Sequence, residues 1–270
     1  MINFDRFPNN TRKVLTMSYD DGKVQDKKLV EIFDKYGIRG TFHINGGYLS
    51  TPERIKEDEV KNLYKNHEVS AHGLTHQSLS ISPRENIVQQ ILKDRMVLEK
   101  LVGYPVRGMS YPNGLYNDKV VEILKATGIE YCRVVETHKN FSMPQDFLRW
   151  HGTCHHNENL LELGQKFLET PYKNRPHLMY VWGHSFEFER DDNWDLIEKF
   201  CSMMSHKEDV WYATNIEIVD YIKALENLKF SADCSMVYNP SAITLWISVD
   251  EQPVIIEPNK ITELNHKVIY

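Results

Sequence analysis

Four short segments hold the polar residues of this chain that could do chemistry together: SYDDG at 18–22, HGLTH at 72–76, RGMSYPNG at 107–114 and WGH at 182–184. Pooled, they offer two adjacent carboxylates (Asp20 and Asp21), three histidines (His72, His76 and His184) and an arginine (Arg107). His72 and His76 are four residues apart, a spacing that sets two imidazoles on one face of a helical turn. Two such histidines and a carboxylate can bind Zn²⁺ while leaving a position open for water, as catalytic rather than structural sites do. Each segment also has a plainer reading. Asp20-Asp21-Gly22 and Tyr111-Pro112-Asn113-Gly114 are turn-forming sequences, Arg107 could be an ordinary surface residue, and His184 could be a satisfied core histidine. Those readings weaken if all four segments fall at the same end of successive strands.

Strand-like runs lead into each of them. VLTMSY (14–19), RGTFHI (39–44), HEVSAH (67–72), VRGMSYP (106–112), IEYCRVV (129–135), FLRWHGT (147–153), HLMYVWGH (177–184) and VWYAT (210–214) are short and apolar or aromatic. Helical stretches alternate with them. In 26–37, Leu29, Ile32, Phe33 and Tyr36 recur at helical spacing and Gly37 marks the stop. In 82–103, Ile87, Ile91, Leu98 and Leu101 lie on one side, and Ser82, Pro83 and Glu85 read as a capping box with proline at the first helical position. Repeated strand–helix–strand units imply parallel pairing, each crossover returning the chain to the same end of the sheet. The expected fold is α/β: a distorted (β/α) barrel of about seven parallel strands, with an open doubly wound sheet as the alternative. Side chains at the carboxyl ends of barrel strands face the active site. After residue 228 the sequence loses its helical period, and Asn239-Pro240 and Glu257-Pro258 punctuate β-branched runs. The expected division is a barrel over 1–228 and a small β appendage over 229–270.

Composition narrows the partners. The chain has 270 residues, 41% of them hydrophobic, and a formal charge of −6 from 32 basic and 38 acidic side chains. With a pI of about 6.1 and no basic stripe, nucleic acid is not an expected partner. Cys132, Cys154, Cys201 and Cys234 form no short metal-ligand spacing and read as reduced, mostly buried thiols. No run approaches the ~18 apolar residues of a membrane span. The opening MINFDRFPNN lacks the charged and apolar regions of a secretory signal. The expected location is cytoplasmic as the sequence stands, extracytoplasmic if a leader has been trimmed.

The order SYDDG, HGLTH, RGMSYPNG and a late strand ending in WGH resembles the polysaccharide deacetylase family (the NodB homology domain, carbohydrate esterase family 4) over roughly residues 12–225. The resemblance implies a distorted (β/α) barrel and a metal-dependent removal of acetyl groups from an acetylated amino sugar or polysaccharide. It implies Asp21, His72 and His76 as ligands of a divalent metal, zinc first, with Co²⁺, Ni²⁺ and Fe²⁺ equally suited to the donor set. Asp20 would be the general base, Arg107 would orient it, the Tyr111 backbone N–H would stabilise the oxyanion, and His184 would be the general acid. Tyr19 stands where the family usually has phenylalanine. The family's Asp and Trp that tune the acid histidine map onto the segment from Asp146 through Trp150 to His155 and His156, where the Asp partner is unassigned. Tyr48, Trp150 and Trp182 are aromatics that could stack on a sugar ring. Two other readings share the fold: a hydrolase of a small non-carbohydrate amide or ester, and a non-catalytic carbohydrate-binding protein. The oligomeric state is open.

Overall fold

The structure is a computed structural model and describes residues 1–172 and 175–264. A two-residue strand, β1 (Ile2–Asn3), precedes the parallel set: β2 (Lys13–Asp20), β3 (Gly40–Ile44), β4 (Glu68–Ala71), β5 (Gly108–Ser110), β6 (Tyr131–Thr137), β7 (Trp150–Gly152), β8 (Cys154–His155), β9 (His177–His184) and β10 (Val210–Tyr212). Helices α1 (Asp26–Tyr36), α2 (Glu57–Leu63), α3 (Arg84–Val102), α4 (Asp118–Ala126) and α5 (Leu160–Glu169) fill the crossovers. Helices α6 (Ser185–Arg190), α7 (Trp194–Met204) and α8 (Asn215–Glu226) follow β9 and β10.

Every strand pair within this sheet is parallel. The strand path is β7-β6-β5-β4-β3-β2-β9-β8, and β10 lies beside the first half of β2. Only Thr153 separates β7 from β8, the two ends of that path, and its N–H donates to the Tyr180 carbonyl of β9 at 2.7 Å. The sheet is therefore a nearly closed barrel, with eight strands on the path and a ninth beside it. All eight residues of β2 are buried, as a strand covered on both faces requires.

Local signals explain where the helices stop. Gly37 and Gly103 adopt left-handed φ values of 65° and 84°, which close α1 and α3 without a Cβ penalty. The start of α3 differs from expectation. Pro83 itself occupies the N-cap position with no side-chain cap, and the Ser82 hydroxyl donates back to the Ser78 carbonyl at 3.1 Å. A proline at that position has already set the backbone for helix entry.

Two small antiparallel sheets lie outside the barrel among the described residues. One joins β11 (Lys229–Phe230), β12 (Met236–Tyr238) and, beyond β13 (Leu245–Val249) and β14 (Gln252–Ile256), the last strand β15 (Ile261–Glu263). The other pairs β1 with β13 and β13 with β14. Leu245, Ile247 and Val249 of β13 share a buried cluster with Phe7, with Val219 and Tyr221 of α8, and with Val14, Tyr131, Trp150 and Leu178 from the starts of barrel strands. The apolar side chains after residue 228 thus cover the amino-terminal end of the barrel. The opposite end carries the polar residues.

Candidate metal and acid–base site

At the carboxyl end of β2, Asp20 lies level with His43 of β3 and His184 of β9. The chain then turns through Asp21 (φ 85°) and Gly22 (φ 61°). His72 follows β4, and the loop runs through Gly73 (φ 73°) to His76 (φ 53°). This loop is not the helical turn that the four-residue spacing suggested; two left-handed residues bring the imidazoles together, with ring centroids 4.7 Å apart. Asp21 and His76 are non-glycine residues held at positive φ, a conformation that costs on the order of 1–3 kcal/mol and clusters at functional sites.

The result is a three-residue donor set. Ligand atoms of Asp21, His72 and His76 lie within 4.8 Å of one another. Asp21 Oδ1 stands 3.9 Å from His72 Nε2 and 3.8 Å from His76 Nε2, spacings a dication with bonds of about 2 Å can bridge. His72 Nδ1 lies 3.0 Å from the Ser110 carbonyl and 2.7 Å from its hydroxyl, so the Nδ1–H has acceptors and Nε2 keeps its lone pair. Histidine ligands of metals are oriented by this kind of second bond. Behind the loop, Asp94 accepts the N–H groups of His72 (2.9 Å) and Gly46 (2.6 Å), fixing the backbone that carries the ligand. Arg54 lies 3.6 Å from Asp21 Oδ1 and also donates to the Asp21 carbonyl. The donor set fits a divalent ion such as zinc.

Asp20 is built differently. It is buried, accepts the Ser110 hydroxyl on Oδ1 at 3.1 Å, and its Oδ2 pairs with Arg133. His72 Nε2 is 3.7 Å from the same Oδ2. Burial by itself would raise the Asp20 pKa, but the Arg133 guanidinium, reinforced by His72, His43 and His184, holds it well below the usual carboxylate range. Arg133 is completely buried on β6, level with Ser110 of β5, and its guanidinium lies 4.2 Å over the Trp182 ring.

Arg107 has no part in this. It sits just before β5, at the opposite end of the barrel, where it makes a two-pronged pair with Asp220 (2.8 and 2.7 Å) and a 3.1 Å contact with Glu130. The contact with Asp20 expected of Arg107 is made instead by Arg133. The sequence carried a usable signal: Arg133 interrupts the otherwise apolar strand IEYCRVV, and a charge inside such a strand must be paired.

Tyr111 also departs from the expected role. Its N–H donates to the Arg133 carbonyl at 3.1 Å, a rung between β5 and β6, and so is committed to the sheet rather than to an oxyanion. Its hydroxyl is equally engaged, donating to the Leu148 carbonyl at 2.7 Å.

His184, at the end of β9, points Nδ1 at Glu187 Oε2, 3.5 Å away. Burial would depress its pKa, but Glu187, with Asp20 and Asp21 nearby, raises it above the ordinary histidine value. Glu187 opens α6 and thus supplies the acidic partner left unassigned in the sequence. Asp146 is not that partner: it caps Leu148 N–H at 2.9 Å and pairs with Arg149. Glu187 Oε2 is also met by His155 Nε2 at 3.1 Å and His156 Nε2 at 3.4 Å. Among the aromatics, Trp150 is fully buried against Tyr131 and Tyr180, and Trp182 lies under Arg133 and His155. Tyr48 is partly exposed and donates to the Thr75 carbonyl at 2.9 Å, beside His76.

Comparison with known proteins bears on the family and the fold. Residues 8–132 match the model of the polysaccharide deacetylase family. A chitooligosaccharide deacetylase from Rhizobium leguminosarum bv. phaseoli is 23% identical over 128 residues, which is 47% of this chain and 54% of that protein. The chain thus spans about half the length of the curated relative it matches. A candidate polysaccharide deacetylase from Mycobacterium smegmatis shares the fold with a TM-score of 0.63 at 15% identity, covering 83% of this chain and 94% of the other. A family 4 acetyl xylan esterase from Clostridium thermocellum, in complex with a cobalt ion, superposes with a TM-score of 0.52 at 13% identity, covering 77% and 90%.

Proposed function

We propose that the protein, whose residues 8–132 match the polysaccharide deacetylase model, is a metal-dependent hydrolase that removes acetyl groups from an acetylated amino sugar or related acetylated carbohydrate. The observation that carries this reading is the convergence of Asp21, His72 and His76 beside a carboxylate, Asp20, whose charge Arg133 maintains. A binding module has no use for an ionised base and a carboxylate-backed imidazole around one donor set.

Asp21, His72 and His76 would hold the ion; zinc, cobalt, nickel and iron all suit two imidazoles and a carboxylate. The cobalt bound by the acetyl xylan esterase supports that choice of class. When bound, such an ion supplies Lewis acidity toward water and an acyl oxygen. The remaining work falls to the chain. Asp20 is adjacent to the donor set and takes the proton of the attacking water on a carboxylate that Arg133 and Ser110 hold in place. Glu187 faces His184 Nδ1 at 3.5 Å and favours the charged imidazole, so Nε2 is the atom left to protonate the departing amine or alkoxide. General acid–base groups of this kind typically supply ~10²–10⁴ in rate.

Metal content and turnover on paired variants test the assignment. Asp20→Asn should keep its metal and lose at least ~10² in acetate release from a panel of N- and O-acetylated sugars. Asp21→Asn should lose metal and rate together, since a neutral amide is a poorer ligand for a dication. A metal-free Asp20→Asn beside a metal-loaded Asp21→Asn would exchange the two roles. Full turnover in demonstrably metal-free wild-type protein would overturn the mechanism.

A further inference from the structure

We propose that His155, His156 and Glu187 form a second binding site for a transition-metal dication of the zinc class, separate from Asp21, His72 and His76. One ligand atom from each of the three lies within 4.8 Å of the others. Two imidazoles and a carboxylate, from the end of β8, the residue after it and α6, repeat the donor chemistry of the first set.

The observation that points to a ligand is His156. It is completely buried, and neither ring nitrogen has a hydrogen-bond partner among the described residues. A buried imidazole left in that state is costly. Its orientation is nonetheless tightly imposed. The ring stacks between Tyr19 (centroids 5.8 Å, 11° between planes) and Phe188 (4.2 Å, 27°). Below it lies Gly183, where any Cβ would come 2.0 Å from His156 Nδ1. A packed cradle thus aims Nε2 at Glu187 without giving it a hydrogen bond. A coordinated ion would satisfy that atom.

His155 is held as well, its ring edge-on to Trp182 at 4.6 Å and its Nε2 3.1 Å from Glu187 Oε2. Its Nδ1 accepts the Asn157 N–H at 3.2 Å. Loading the site shifts the His155 proton from Nε2 to Nδ1 and gives up that exposed contact, which water replaces. His155 and Glu187 are each partly open to solvent, so an ion can reach them. Occupancy has a consequence that rests on the proposed function: Glu187 Oε2 also lies 3.5 Å from His184 Nδ1 and pairs with it when that imidazole is charged, and an ion on Glu187 weakens this pairing. The second ion would then be inhibitory.

The test is a metal count on chelator-treated, full-length protein titrated with Co²⁺ or Zn²⁺ against a competing chelator. Wild type should take two equivalents, His76→Gln one, His155→Gln one, and the double variant none. In turnover, inhibition by excess Zn²⁺ should need at least about tenfold more metal in His155→Gln than in wild type, whatever its basal rate. One wild-type equivalent, lost in His76→Gln and kept in His155→Gln, overturns the second site and leaves the first standing. One equivalent with the opposite dependence supports the second site and overturns the first.

Discussion

Asp20 and Glu68 are both buried carboxylates in the same barrel, one at the carboxyl end of β2 and the other at the amino end of β4. Their surroundings differ in one respect. Asp20 faces a full cation, Arg133, and stays ionised well below the usual range. Glu68 faces only neutral donors: the Tyr131 hydroxyl at 2.6 Å, the Thr41 hydroxyl at 3.0 Å and the Ile216 N–H at 2.9 Å. For Glu68, burial outweighs those bonds and pushes the pKa up to about 7. A buried carboxylate with a counter-charge keeps its charge, and one with only neutral donors can give it up. The first lies beside the donor set at the carboxyl end of the barrel, the second among packing contacts at the amino end.

Breaking the Asp20–Arg133 pair should have the largest effect. Arg133→Met leaves Asp20 buried without its counter-charge, and removing one partner of a buried pair typically costs about 3–5 kcal/mol. Turnover should fall by at least ~10² at temperatures where the variant is folded. Arg133→Lys restores the charge without the planar fork and should recover part of both losses. Thermal melts run beside acetate-release assays on the three proteins decide it. Wild-type turnover in a folded Arg133→Met would remove the distinction between the two ends.

A smaller effect should appear at Glu68, with the opposite dependence on pH. Its folded pKa, about 7, lies above the unfolded value of about 4.5. Between those values the native state holds a proton that the unfolded chain has released. Stability from this group is therefore complete below pH ~4.5 and is lost as pH rises toward 7, by on the order of 3 kcal/mol. Glu68→Gln should flatten that slope while leaving turnover near wild type. The amide nitrogen can face Tyr131, whose hydroxyl is free to donate to Ser70 Oγ, 2.9 Å away. Chemical denaturation of both proteins at pH 5 and pH 8 checks this. Identical pH slopes would mean that Glu68 is ionised when folded, like Asp20.

Much of the carboxyl end was legible in the sequence because its residues follow strands directly. Asp20, Asp21, His72, His76 and His184 each sit at or just past a strand's carboxyl terminus, and strand–helix alternation places those termini together. What was not legible depends on contacts between distant strands. Arg107 and Arg133 are both arginines near apolar runs, and only the β5–β6 register, with Ser110 level with Arg133, reveals which one enters the barrel. Tyr111 looked available because the sequence hides which amides are spent in the ladder. The spacing of His72 and His76 was informative, but for a loop with two left-handed residues rather than a helix. Glu187 escaped notice because it lies on α6, three residues past the strand end that the motif marks.

The smallest effect belongs to Arg107, and it is also the most direct test of the reassignment. Its guanidinium is about a third exposed and bonds Asp220 with both Nη atoms, with Glu130 at its side. Glu130 has a second cation in Lys223, at 2.6 Å, so removing Arg107 does not strand it. Solvent-exposed pairs contribute about 0–1 kcal/mol, and the two-pronged geometry places this one toward the upper end. For a chain of this size that corresponds to a fall of roughly 2–4 °C in Tm. Among the described residues nothing links Arg107 to Asp20, so Arg107→Ala should change turnover by less than about twofold. The substitution is mild enough to fold, which makes its kinetics readable where those of Arg133→Met would be entangled with stability. If Arg107→Ala kept its Tm and lost ~10² in rate, the arginine at the amino end would be acting on Asp20 after all, and the division of the barrel into two ends would fail.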